Sequence, residues 1–161
     1  MEYIIVPCYG AVLKIQHPLP AMLNIRLIRG QQFVRGDQQG ALDLAASRKA
    51  LCDLLAEGTE GAGTEPGAYD LLFDVRDADI DMPLKEIWEL LGELETCDPG
   101  FKGQLALLAD WDSTFDRVQF FEASSRNFGI ASKAFLDFEE AVEWLWGSRS
   151  IAGDANDRGS A

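Results

Sequence analysis

Carboxylates, hydroxyl groups and an aromatic ring stand together in the stretch Asp110-Trp111-Asp112-Ser113-Thr114. A carboxylate such as Asp110 or Asp112 can act as a general base when burial raises its pKa toward neutrality. The same residue types are also needed wherever a strand leads into a helix, because Asp112 or Ser113 can cap the helix that follows. We expect the capping role, and the catalytic role is the alternative.

A second group of charged residues surrounds Arg76, which is flanked by Asp74, Asp77, Asp79 and Asp81. Opposite charges this close in sequence predict salt bridges between Arg76 and the neighbouring Asp74, Asp77 and Asp79. The alternative is that the Arg76 guanidinium binds an anion from outside the chain, since guanidinium groups pair well with carboxylate and phosphate.

A third group is Ser124-Ser125-Arg126-Asn127, whose hydroxyl and guanidinium groups can hold a phosphate. The same four residues are equally typical of a helix end and turn. Both interpretations stay open from the sequence.

The sequence argues against several kinds of chemistry. It has one histidine, His17, and three widely spaced cysteines, Cys8, Cys52 and Cys97. A zinc site therefore lacks ligands, and any Ser-His-Asp or Cys-His arrangement would have to use His17. An odd number of distant cysteines also argues against a disulfide framework and favours a reducing compartment, with Cys52 acting as a small buried hydrophobe. We expect no metal and no cofactor.

The 161 residues carry 27 acidic and 14 basic side chains, for a formal net charge of −13. Residues 74–98 hold nine acids against Arg76 and Lys85, which is more than half of that charge. A chain this acidic repels phosphate backbones, so nucleic acid is not an expected partner. No apolar run approaches the roughly 20 residues that span a bilayer, and no secretory leader is recognisable, so we expect a cytoplasmic protein.

Hydrophobic spacing and turn residues predict alternating strands and helices. A hairpin is predicted at 25–28 and 33–34, and a loop framed by Gly36 and Gly40 follows it. The predicted helices are 41–56, 83–95, 115–123 and 138–146, and the predicted later strands are 69–75, 104–109 and 129–135. Gly58 and Gly147 are predicted to end their helices, and 59–67 is predicted to be a loop.

This order predicts an α/β fold with a mixed, mostly parallel sheet of about five strands and about four helices. We expect a domain at 24–147, an N-terminal extension at 1–23 with Met22 as an alternative start, and a disordered tail at 148–161. Ligands of such sheets bind at the carboxyl ends of the strands. Residues 74–81 and 110–114 should meet there, with Arg126 and Asn127 approaching over them.

Three segments resemble the STAS domain, and in particular its SpoIIAA-like branch of small stand-alone bacterial proteins. They are YDLLFDVRDAD at 69–79, QLALLAD at 104–110 and NFGIASKAFLDFEEAVEWL at 127–145. The resemblance implies regulation through a protein or small ligand rather than catalysis. Anti-sigma-factor antagonists of this family carry a phosphorylatable serine where the central strand enters the next helix. The matching stretch here is Asp81-Met82-Pro83-Leu84, and no serine or threonine lies between Asp70 and Glu95.

Three functional hypotheses follow from these observations. The first is a non-catalytic STAS-like module that binds a protein partner or forms a homodimer without the phosphorylation switch. Its candidate binding residues are Asp74, Arg76, Asp81, Asp110, Trp111, Asp112, Ser113, Arg126 and Asn127. The second is a carrier of a small apolar or lipid-like ligand, suggested by the aromatic residues of the C-terminal half. The third is a hydrolase-type enzyme that uses Asp110 or Asp112 with Arg126.

Overall fold

The computed structural model of the chain describes residues 20–28, 33–61 and 69–156. Its strands are β1 (Met22–Ile28), β2 (Phe33–Leu42), β3 (Asp70–Ile80), β4 (Gln104–Leu108) and β5 (Ala131–Phe135). Its helices are α1 (Leu44–Gly61), α2 (Leu84–Cys97), α3 (Ser113–Ser125) and α4 (Phe138–Asn156), with a short 3-10 helix at Arg126–Phe128. The predicted order of strands and helices is confirmed.

The five strands form one sheet in the order β1-β2-β3-β4-β5. β1 runs antiparallel to β2, and every other neighbouring pair is parallel. The predicted mixed, mostly parallel sheet with four helices is therefore confirmed. α1, α2 and α3 each connect one parallel strand to the next strand along the sheet, always in the same direction. Because such crossovers are right-handed, the three helices lie on one face of the sheet. α4 packs on the opposite face, against β3, β4 and β5.

Two hydrophobic clusters hold the sheet between these helices. The larger lies under α1, α2 and α3, and the smaller lies under α4 around Leu72, Leu108 and Phe135. Along β3, Leu71 and Phe73 belong to the first cluster and Leu72 to the second. This alternation explains the continuous apolar run of β3, because a central strand is buried on both faces.

β2 corrects the predicted loop at 36–40, because the strand continues through both glycines to Leu42. A Cβ on Gly36 would come within 3 Å of the Leu54 side chain of α1, so this glycine allows a close helix–strand approach. Gly40 has a φ of 82° beside a register shift between Asp37 and Gln39, which is a conformation that favours glycine. Both glycines serve strand geometry and packing rather than a turn.

Two helices are longer than predicted. α1 passes Gly58 and ends at Gly61, and α4 passes Gly147 and ends at Asn156. Residues 148–156 are thus helical, which corrects that part of the predicted tail. Met22 and Leu23 of the predicted extension belong to β1. Residues 1–19, 62–68 and 157–161 lie outside the described residues, as does the hairpin turn at 29–32.

The structure also contradicts the predicted absence of a disulfide. Cys52 of α1 and Cys97 at the end of α2 are bonded, with their Cα atoms 5.6 Å apart. The two cysteines are 45 residues apart in the chain, but α1 and α2 pack side by side on one face of the sheet. The wide spacing of the two cysteines in the sequence therefore did not predict their distance in the fold. Cys8 lies outside the described residues.

Among the residues that the structure describes, no helix is both long enough and apolar enough to cross a membrane.

Candidate functional site

Asp74 is the centre of an ion-pair network on the face of the sheet that carries α4. The Arg76 guanidinium donates two hydrogen bonds to the Asp74 carboxylate, from Nη2 at 2.7 Å and from Nε at 3.0 Å. Arg35 of β2 lies 3.3 Å from the same carboxylate and 2.7 Å from Asp37. The guanidinium of Arg35 also lies 4.8 Å from the centre of the Phe138 ring in α4.

This network supports the ion-pair interpretation of Arg76. Hydrogen bonding to Asp74 raises the pKa of Arg76, and the charges of Asp74, Asp110 and Asp77 raise it further. Asp74 is buried, so its two arginine partners compensate a carboxylate that has little contact with water. The network therefore holds β2 and β3 together beside α4, with Asp74 at its centre.

Sequence reasoning missed Arg35, Asp37 and Phe138 as parts of this network. Arg35 and Asp37 lie on either side of Gly36, in the segment that was predicted to form a loop after the hairpin. The alternation Arg35-Gly36-Asp37 was the available signal, since residues two apart on a strand point to the same face.

Trp111 is the most prominent side chain at the carboxyl ends of the strands. It follows β4, is 79% exposed as a residue, and lies with its ring centre 5.2 Å from that of Phe115. Asp110, on its N-terminal side, is exposed as well. Asp112, on its C-terminal side, accepts a hydrogen bond from the Thr114 amide at 2.7 Å, so it caps α3 as predicted.

Arg126 and Asn127 do not join this end of the sheet. They lie at the C-terminal end of α3, whose 13 residues span about 20 Å from Asp112. The Asn127 side chain donates to the Ser124 carbonyl, and the Ser125 hydroxyl donates to the Glu122 carbonyl. The expected approach of 126–127 to the carboxyl ends is therefore wrong. The structure does not bring together the Asp110, Asp112 and Arg126 set that the enzyme hypothesis requires.

Helix α2 contributes two more exposed apolar side chains, of which Leu84 lies at the same end of the sheet as Trp111. Leu84 begins α2 at the carboxyl end of β3 and is 50% exposed, and Trp88 follows one turn later at 46%. The ring of Trp88 packs edge-on against Phe128. Arg117 of α3 donates to the Met82 carbonyl at 2.9 Å, which ties α3 to the connection between β3 and α2.

Five exposed aspartates lie at the end of β3 or in the loops that follow β3 and β4. They are Asp77, Asp79, Asp81, Asp110 and Asp112. We call the group formed by Leu84, Trp111 and these five aspartates the carboxyl-edge surface. Ser113 is the first residue of α3, and its side chain is not among those that the structure describes.

Comparison with known proteins adds a fold relative. No family model and no curated protein matches this sequence. A solved structure of an uncharacterised DUF3478-family protein from Shewanella loihica PV-4, described as having a SpoIIAA-like fold, matches with a TM-score of 0.51 at 18% identity. The match covers 78% of this chain and 93% of the other.

The fold is SpoIIAA-like. This agrees with the resemblance seen in the sequence and with the mixed five-stranded sheet. The likeness concerns the fold alone, so the function has to be argued from the surface of this chain.

Proposed function

We propose that this SpoIIAA-like chain is a non-catalytic regulatory or binding module that acts through a protein partner or a second copy of itself. The observation that carries the proposal is Trp111, a large aromatic residue that is 79% exposed at the end of the sheet where the exposed Leu84 begins α2. Exposed apolar groups of this kind mark interaction surfaces, and tryptophan is enriched among the residues that dominate binding energy.

Charge supports a basic partner. The five aspartates of the carboxyl-edge surface are exposed, whereas Arg76 is already paired with Asp74. An acidic rim around an apolar centre attracts a partner with lysine or arginine near its own apolar contact residues. The same charge disfavours nucleic acid.

Regulation by serine phosphorylation has no support at the family's usual position. The connection between β3 and α2 is Asp81-Met82-Pro83, and it has no hydroxyl group to accept a phosphate. We infer that any regulation of the module uses another route than a phosphate at this connection.

Affinity capture from the natural host, with three forms of the full chain as bait, tests the proposal. The forms are the wild type, Trp111→Ala, and Trp146→Ala as the matched control, since Trp146 is another exposed tryptophan (49%) on the other face of the sheet. Sedimentation of the same three forms tests for a homodimer.

The proposal predicts one basic protein, or a dimer, that is retained by wild type and Trp146→Ala and lost from Trp111→Ala. Raising the salt concentration should weaken the complex, because charges at the rim are screened. If no protein and no dimer depends on Trp111, the carboxyl-edge surface is not the interface.

A second candidate is a carrier of a small apolar ligand. An apolar cleft between the sheet, α2 and α3 supports it, lined by residues such as Phe73, Ile87 and Phe121, with a volume of about 40 Å³. A cleft of this size admits only a small group. Native mass spectrometry of gently purified protein tests it: a mass released on denaturation supports the carrier, and a clean apo mass contradicts it.

A further inference from the structure

A cavity lies at the opposite end of the sheet from Trp111. It has a volume of about 140 Å³ and sits between the amino ends of β3 and β4 and the helices α1 and α2. Its inner wall is made of five buried leucines, Leu51, Leu55, Leu71, Leu94 and Leu105. A leucine-lined cavity of about 150 Å³ is large enough to bind benzene.

The outer wall of this cavity is aromatic and acidic. Phe101 and Phe128, which are partly buried, line it together with the acidic residues Glu95 and Asp98. None of the described residues that line it is a lysine, arginine or histidine. Within the described residues, neither Asp98 nor Glu95 forms a salt bridge.

Asp98 is held in position by the protein. One carboxylate oxygen lies 3.0 Å from the Tyr69 hydroxyl, and the other accepts the Gly100 amide at 3.1 Å. Tyr69 is in turn fixed, because its hydroxyl lies 2.7 Å from the Leu55 carbonyl oxygen. The Cys52–Cys97 disulfide joins α1 to α2 beside the cavity, since each cysteine is next in sequence to a lining residue, Leu51 and Asp98.

We propose that this cavity binds a small organic ammonium ion, with its ring or alkyl chain among the leucines and its ammonium group at Asp98 and Glu95. The apolar part fits by size and by the lining of the inner wall. The ammonium group pairs with the two carboxylates, and the aromatic rings of Phe101 and Phe128 add cation–π attraction. A carboxylate of the same size is repelled at the same place.

Titration followed by two-dimensional NMR of the oxidised full chain tests this site, with benzylammonium as the probe and benzoate as its anionic counterpart. Benzylammonium should shift the amide signals of residues 94–101 and 128–130 with a dissociation constant of about 1 mM or lower. Benzoate should leave these signals unchanged. The measurement reports on the amino end of the sheet, and the partner-binding proposal concerns the carboxyl end. A negative result for one proposal therefore leaves the other unaffected.

Two variants test the charge assignment. Asp98→Asn keeps an oxygen that can accept the Tyr69 hydroxyl, and Glu95→Gln changes an exposed side chain, so both should fold. Asp98→Asn should weaken benzylammonium binding about tenfold and Glu95→Gln less, since removing a charge-assisted contact costs roughly 1.4 kcal/mol or more. Asp116→Asn, on an exposed part of α3, is the control and should have no effect.

The proposal is overturned by any of three results. They are no saturable shift at about 10 mM benzylammonium, equal binding of benzoate, or unchanged binding by both Asp98→Asn and Glu95→Gln. A folded spectrum for each variant distinguishes lost binding from lost structure.

Discussion

Asp74 is the residue on which two arginines from neighbouring strands converge. Arg35 and Arg76 both contact its carboxylate, which is buried beside α4. Removing one member of such a group leaves the other charges without compensation, and that cost exceeds the net value of the intact pair. The main role of Asp74 is therefore stability.

Replacing Asp74 tests this role. Asp74→Asn should lower the free energy of unfolding by about 2 kcal/mol, because Arg35 and Arg76 lose a shared anionic partner. Chemical denaturation measures the change. Asp77→Asn is the matched control, since Asp77 is exposed, and it should stay within about 0.5 kcal/mol of wild type. Equal effects of the two variants would contradict the assigned role.

Tyr69 gives the molecule a predictable response to alkaline pH. Burial raises the pKa of its hydroxyl, and the neighbouring Asp98 carboxylate raises it further, although the Thr59 hydroxyl opposes this. The unfolded chain loses the tyrosine proton above about pH 10, while the folded chain keeps it. The stability due to the neutral Tyr69 is thus fully present below about pH 10 and is lost as the pH rises further.

Comparison of wild type with Tyr69→Phe isolates this effect. The unfolding free energy of wild type should fall more steeply than that of Tyr69→Phe between about pH 9 and about pH 11. Urea denaturation at several pH values measures both slopes. Parallel slopes would show that Tyr69 titrates normally in the folded protein.

At the scale of elements, the order of strands and helices follows from the sequence, but their ends do not. The apolar run at 71–73 and the stripe of α2 are local signals, and both predictions are confirmed. Gly36, Gly58 and Gly147 were interpreted as breaks, and all three lie inside regular elements. Only tertiary contacts distinguish a glycine that ends a helix from one that lets another element approach.

Gly58 and Gly147 are a matched pair for testing this distinction. A Cβ on Gly58 would collide with the Tyr69 ring, whereas a Cβ on Gly147 would meet nothing within 4 Å. Gly58→Ala should destabilise the protein by about 1–3 kcal/mol through overpacking. Gly147→Ala should stabilise it by up to about 1 kcal/mol, because alanine favours the helix. Thermal denaturation measures both, and effects of the same sign would contradict the packing described here.

The Cys52–Cys97 bond links two elements that the sequence could not place side by side. It closes a loop of 45 residues, so its removal frees the unfolded chain and should cost about 2–4 kcal/mol. Cys97→Ala should show this loss in denaturation without reductant. Dithiothreitol should lower the stability of wild type to a similar value and leave Cys97→Ala unchanged. A wild type that is insensitive to dithiothreitol would argue against the bond.

For the molecule as a whole, the two ends of the sheet have different characters. The carboxyl ends expose Trp111 and Leu84 among aspartates, and the amino ends enclose a leucine-lined cavity. The first could be anticipated, because parallel sheets place strand-to-helix loops such as 110–114 at one edge. The cavity could not, since its residues come from six separate segments and share no sequence pattern.

The same limit applies to Arg126. Its neighbours in sequence suggested a phosphate site near Asp110, but the length and direction of α3 place it at the other end of the sheet. The direction of a helix depends on which strands it connects. A local sequence motif does not predict that direction. The candidate site is therefore the carboxyl-edge surface without Arg126 and Asn127.

Site-specific photo-crosslinking in the natural host tests the central claim most directly. A benzophenone side chain placed at position 84, on the carboxyl-edge surface, should form a covalent adduct with one partner protein or with a second copy of this chain. The adduct should disappear when Trp111→Ala is added, and the same side chain placed at position 146 on α4 should form none. An adduct at 146 alone, or one at 84 that survives Trp111→Ala, would contradict a binding function centred on Trp111.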